Sequence, residues 1–183
     1  VRNVALRYGL GATFMPKPLY GEAGSGLHYH QYLTDGKTSA FYAASGRGPL
    51  SRTGLHYVGG LLEHGKALAA FTNPSTNSYK RLVPGFEAPV RLTYSVGNRT
   101  AAIRIPGYAK APDSVRIEYR PPDATSNSHL VIAAMLMAGL DGIKRKLDPG
   151  SPLGKDLFHM PPEELNAIPA LPTSLNWALD ALE

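Results

Sequence analysis

Apolar and polar positions along the chain change their spacing several times, and each change marks a predicted element. Val1, Val4, Ala5 and Leu6 follow a helical period that Gly9 stops. The chain thus opens in mid-pattern, on the tail of a helix, as a segment cut from something longer would. Residues 12–15 suit a short strand ahead of Pro16-Lys17-Pro18, and 21–26 form a Gly-rich turn. Over 27–33 the period becomes two. His28, His30 and Tyr32 fall on one face of a strand, and Leu27, Tyr29 and Leu33 on the other.

Helical spacing returns at 51. Ser51 caps a helix running to about residue 70, with Leu55, Val58, Leu62 and Ala69 as its core stripe. Residues 73–89 hold no sustained period and read as a long ordered loop. Three strands are predicted next, over 90–96, 100–105 and 115–119. Their short connections favour antiparallel pairing, because a parallel return needs a longer crossover. Asn127 or Ser128 begins a helix through Val131, Met135 and Leu140, and its basic end at Lys144, Arg145 and Lys146 suits the negative pole of the helix dipole. Residues 161–164 suggest a short helix, and Thr173 or Ser174 caps a last one over 175–182. Strands are grouped rather than alternating strictly with helices, which is an α+β pattern.

Composition narrows the class. The chain has 183 residues, 43% apolar and 18% charged, enough for one domain with a real core and too apolar for a disordered segment. With no cysteine, disulfides and thiolate metal sites are excluded, and a reducing cytoplasm is compatible. No apolar run reaches membrane-spanning length; the longest, 130–140, has the size of a buried helix. The first residues lack the pattern of a secretory signal. The net charge of +5 suits phosphates or other anions, and several arginines cluster in mid-chain. There is no GxGxxG or P-loop signature, so any nucleotide is held by another route.

Four segments could carry chemistry. His28 and His30, at i and i+2 on a strand, point the same way, either as polar residues on a solvated face or as a metal ligand with a phosphate contact. Alternation likewise puts Arg116, Glu118 and Arg120 on one face. They are either the wet side of an antiparallel sheet or a carboxylate ligand between anion-binding guanidinium groups. Arg99 and Arg104 are at an odd offset, so they share a site only if the strand bends or bulges or if Arg99 precedes it. The loop 73–87, with Arg81 and Glu87, is either a lid or an Ω-loop packed by Leu82, Val83 and Phe86.

These pieces, in this order, resemble glutamine synthetase of the bacterial class. The matching runs are Ala12-Thr-Phe-Met-Pro-Lys-Pro18, Gly24-Ser-Gly-Leu-His28, residues 73–89, residues 98–106 and Met135-Leu-Met-Ala-Gly-Leu-Asp-Gly-Ile-Lys144. The resemblance implies a curved antiparallel sheet with flanking helices, here the C-terminal portion of a catalytic domain, over 1–183, without the N-terminal domain and the first part of the catalytic domain. It implies that His28 and Glu118 bind a divalent metal, Mg²⁺ or Mn²⁺, and that His30 and Arg116 contact ATP. Arg99 and Arg104 are implied to stabilise phosphoryl transfer. Arg81, Arg120 and the backbone of Gly24 are implied to hold glutamate, and Glu87 to help bind ammonium and shield the intermediate. The expected reaction is the ATP-dependent joining of ammonia to the glutamate side-chain carboxylate through a γ-glutamyl phosphate, in a ring-forming cytoplasmic homo-oligomer. The arginines so assigned leave little for nucleic acid to bind, and no membrane partner is expected.

Departures from the family pattern matter too. The chain has seven Glu and no Glu-x-Glu, so the ligands of a first metal are expected outside it. On that reading the isolated piece is inactive, a nucleotide-binding or assembly module. Lost strands would also leave an open sheet edge and an exposed apolar face, and self-association is expected. Ala23 stands where the family often has Asn, which keeps open γ-glutamylation of an amine or polyamine. Tyr32 replaces a small hydroxyl residue near the nucleotide. Phe158 occupies a tyrosine position that some bacterial members adenylylate, and without a hydroxyl it cannot take that modification.

Overall fold

The computed structural model describes residues 1–44, 49–86 and 88–183. In chain order the elements are α1 (Arg2–Arg7), β1 (Tyr29–Gln31), α2 (Arg52–Glu63), α3 (Gly65–Thr72), α4 (Ser78–Arg81), β2 (Tyr94–Val96), β3 (Ile103–Ile105), β4 (Ile117–Tyr119), α5 (Ser128–Arg145), α6 (Pro162–Asn166) and α7 (Leu175–Asp180), with a 3₁₀ turn at Leu157–His159. Side-chain caps start the main helices where the sequence offers them. Ser51 Oγ accepts from the Gly54 N–H, Asn127 from His129 and Leu130, and Ser174 from Trp177. The helix expected from Ser51 to about residue 70 breaks at His64, which ends α2 and precedes α3.

The four strands lie in the order β1-β4-β3-β2. β4 pairs antiparallel with both β1 and β3, as expected, but β2 and β3 run parallel. The antiparallel expectation for that pair is therefore corrected to a mixed sheet. The crossover rule assumes strands of ordinary length. These strands have three residues each, so the chain returns only about 10 Å, and the connection over 97–102 can reach about 20 Å. Residues 12–15, expected as a strand, form none: that backbone finds no partner ladder, and a strand exists only through one.

Alternation gives the sheet two unlike faces. Tyr29, Tyr119, Ile103 and Tyr94 stand in register on one side. They join Tyr57, Val58 and Leu61 of α2 and Val131, Met135 and Ala138 of α5 in the main core. Tyr57 Oη donates to Gln31 Oε1 at 2.7 Å, and Tyr29 Oη to Ser128 Oγ at 2.8 Å, tying β1 to both helices. His30, Glu118, Arg104 and Ser95 form the matching row on the opposite face. Burying the aromatic face fixes the register, and the register lines up the polar row.

α2 and α5 cross backbone to backbone. A Cβ built on Gly142 would overlap the His56 carbonyl oxygen and stand 2.6 Å from Gly60 Cα. Gly142→Ala should therefore destabilise the protein by about 2 kcal/mol or more despite Ala's better helix propensity. Urea denaturation checks this, and an unchanged midpoint would show that the helices can part freely. On the outer face of α5, Ile132, Leu136, Met137 and Leu140 are exposed. No helix among the described residues is long and apolar enough to cross a membrane.

Candidate active site

The polar face of the sheet is organised around one carboxylate. Glu118 is 2% exposed and sits mid-strand in β4, with His30 opposite on one side and Arg104 opposite on the other. One of its oxygens, Oε1, accepts from Arg120 Nη1 at 2.8 Å and lies 2.9 Å from His28 Nδ1. The other, Oε2, accepts from Arg104 Nε. Burial alone would raise the Glu118 pKa. Hydrogen bonds from His28 and Arg104, with the charges of Arg120 and Arg104, outweigh that and hold it down to about 2. The carboxylate is thus ionised at any physiological pH, inside a positive surround.

His28 precedes β1 but still reaches Glu118, so the pairing expected from i, i+2 spacing holds beyond the regular strand. His30 is exposed and accepts at Nδ1 from Arg116 Nε at 3.2 Å. Its pKa is lowered, chiefly by partial loss of hydration at this exposed position, with Glu118 opposing and the charges of Arg116, Arg104 and His28 adding to the fall. His30 is therefore held toward the neutral form, whose second nitrogen is free to act toward a ligand.

The odd offset between Arg99 and Arg104 resolves simply: Arg99 precedes β3, in a bend over 99–102. Asn98 shapes the bend, its Oδ1 accepting from the Thr100 N–H at 2.9 Å. The Arg99 carbonyl accepts from Arg120 Nε at 3.0 Å, which orients Arg120 toward Glu118, while the Arg99 side chain itself is exposed.

Arg81 ends α4 and is 4% exposed. Its Nη1 donates to the Pro121 carbonyl at 2.7 Å and its Nη2 to that of Arg120 at 3.3 Å. Burial, with a smaller push from Arg120 and opposed by Asp123, brings its pKa down to about 10. Gly24 lies against this side chain: a Cβ there would overlap the Pro16 carbonyl and stand 3.0 Å from Arg81 Cγ. Glu87 lies outside the described residues.

So His28, His30, Arg104, Arg116, Glu118 and Arg120 meet on one sheet face, with Arg81 and Gly24 adjoining through the Arg120 backbone. The alternative of a plain solvated strand fails for β4, because Glu118 and Arg120 are buried. Sequence reasoning missed two members. Tyr108 lies with its ring 5.4 Å from the Arg116 guanidinium and accepts from Nη2 at 3.3 Å, and nothing in the pattern of 106–114 signals this. Asp123, fully buried, accepts from Asn73 Nδ2 at 3.1 Å and from the Thr125 N–H at 3.0 Å. The Asp-x-Thr spacing is a turn signal that could have found it.

Could this face hold a divalent cation? A buried ionised carboxylate beside an imidazole is a suitable donor pair for Mg²⁺ or Mn²⁺. It is also a partial one. Such cations take about six ligands, and among the described residues no three His, Asp or Glu side chains converge. His28 and Glu118 fit as part of a ligand set.

Comparison with known proteins bears on what this face does. The family model described as glutamine synthetase, catalytic domain, matches residues 1–183. Glutamine synthetases of Methylococcus capsulatus, Nostoc and Frankia alni are 58%, 56% and 55% identical to the chain over its whole length. The chain spans only 38–39% of the length of these relatives. It belongs to the glutamine synthetase catalytic-domain family.

Proposed function

We propose that this chain contributes part of the site of an ATP-dependent ligase that joins ammonia to the side-chain carboxylate of glutamate. The observation that carries the reading is the row of His30, Glu118 and Arg104 across three strands, with Arg116 and Arg120 beside it. One fixed carboxylate within a cluster of cations is suited to a polyanion and a metal together.

His28 and Glu118 would hold a divalent cation, which when bound neutralises charge on ATP. His30 and Arg116 would grip the phosphates, with Tyr108 orienting Arg116. Arg104 would offer guanidinium charge to the phosphoryl group as it moves to the glutamate carboxylate, and Arg99 is assigned the same role. That step converts an inert carboxylate into an acyl phosphate. Ammonium loses a proton, and the ammonia so formed attacks the acyl carbon and displaces phosphate. Arg81, Arg120 and Gly24 form the wall assigned to glutamate, and Glu87 is assigned to ammonium. Residues 1–183 would be the C-terminal portion of a curved catalytic domain that works in the cytoplasm as a ring-forming oligomer.

The test is release of phosphate dependent on ATP, Mg²⁺ and glutamate, with products identified by mass spectrometry. Two proteins are compared: the 183-residue chain and a full-length protein, of its relatives' length, that contains it. The full-length protein is expected to make glutamine from ammonium, and the chain alone to be silent. Turnover by the chain alone would show that no carboxylate outside it is needed. A product formed from amines but not from ammonium would move the reading to amine γ-glutamylation.

A further inference from the structure

Lys17 has no part in the chemistry so far, yet it is among the most completely held residues of the site's surroundings. It is 8% exposed, and among the described residues no carboxylate pairs with it. Its ammonium instead donates to the Glu22 carbonyl and sits 3.6 Å from the centre of the Phe86 ring. Its backbone is clasped by one side chain: the Lys17 N–H donates to Asn77 Oδ1 at 2.8 Å, and Asn77 Nδ2 donates to the Lys17 carbonyl at 3.2 Å.

These contacts join two walls. One is the segment 16–25, closed on itself where the Ser25 N–H donates to the Pro16 carbonyl at 2.9 Å and pressed through Gly24 against Arg81. The other is the loop that carries Asn77 and Phe86. Asn77 fastens the start of that loop by ordinary hydrogen bonds. Only the cation–π contact of Lys17 fastens Phe86 to the segment 16–25 among the contacts described. Lys17 and Phe86 both line a cavity of about 770 Å³ that Met15, Tyr20 and Lys80 also border. A buried ammonium over an aromatic face is strongly favourable because the ring replaces part of its lost hydration.

We propose that Lys17 is a positioning residue that clamps Phe86 and so keeps water from the acyl-phosphate intermediate. This rests on the function proposed above. Without the clamp, the end of the loop parts from the segment beside Gly24. Water can then attack in place of ammonia. The acyl phosphate plus water gives glutamate and inorganic phosphate, so ATP is converted to ADP and phosphate with no glutamine formed.

The test uses the full-length protein, its Lys17→Met and Lys17→Arg variants, and two readouts: glutamine formed with ammonium, and glutamate-dependent phosphate release without it. Met keeps the length of the stem and loses the charge; Arg keeps a cation over the ring. Lys17→Met is expected to raise the ratio of uncoupled phosphate release to glutamine formation about tenfold, and Lys17→Arg to restore it to within about threefold of wild type. A merely structural loss lowers both activities together and leaves the ratio unchanged, and that result overturns the proposal. If wild type itself makes no glutamine, the functional reading fails instead. Should Lys17→Met not fold, Phe86→Leu, which removes the ring from the other side, is expected to give the same rise; an unchanged ratio there also overturns it.

Discussion

Glu118→Gln in the full-length protein is expected to lower glutamine formation about a thousandfold. Gln has the same shape, so the loss isolates charge. Three groups converge on that carboxylate: Arg104, Arg120 and His28. An amide offers one acceptor oxygen and turns a donor nitrogen toward a donor. Arg120, 5% exposed, would keep its charge in a buried place and lose the carboxylate it pairs with among the described residues. Breaking a buried pair from one side costs about 3–5 kcal/mol, more than a surface ion pair contributes. The variant should therefore be both slow and less stable, and urea denaturation beside the assay separates the two. Glu118→Asp, which keeps the charge on a shorter stem, should recover much of the stability and little of the activity. Wild-type turnover by Glu118→Gln would remove this face from the reaction.

The same carboxylate sets an acid limit. Its pKa falls from 4.5 to about 2 on folding, so its stabilisation is fully present above pH 4.5 and is lost as pH falls toward 2. That shift corresponds to about 3 kcal/mol. Wild type should lose stability steeply across this window, and Glu118→Gln less steeply.

Local rules reached a good part of this molecule. Ser51, Asn127 and Ser174 cap the helices assigned to them, because a cap needs only its own turn. Alternation placed His28 with His30, and Arg116 with Glu118 and Arg120, correctly on shared faces. It could not show that the two faces are one, since that depends on β1 lying beside β4, with His30 and Arg116 in contact although 86 positions apart in sequence. The resemblance to a known family supplied that link. Non-local pairing also explains both strand errors: 12–15 lacks a ladder, and β2 with β3 could run parallel only because each is so short. Lys17 was invisible for a similar reason. Between two prolines it reads as an exposed turn residue, and its burial comes from Asn77 and Phe86, 60 and more positions on.

Arg81→Lys should have the next largest effect, and it distinguishes two uses of one guanidinium. The resemblance makes Arg81 a glutamate ligand. The geometry shows its fork engaged with the chain itself, at the carbonyls of Pro121 and Arg120. Those carbonyls belong to the segment that follows β4, so Arg81 fixes the strand end from which Arg120 reaches Glu118. Lys keeps the charge but presents a single ammonium that cannot span two carbonyls. Losing one such charge-assisted bond in a buried place costs about 2–3 kcal/mol. A fall in stability of that size is expected by urea denaturation, together with a rise of about tenfold in the glutamate KM and little change in the ATP KM. The rise follows because Nη2 lies beneath Gly26, where a Cβ would stand 2.6 Å from it, on the same wall as Gly24. Lower stability with an unchanged glutamate KM would make Arg81 the support of the glutamate wall and not a ligand. Unchanged stability with a raised KM would mean that the fork releases its carbonyls when glutamate binds.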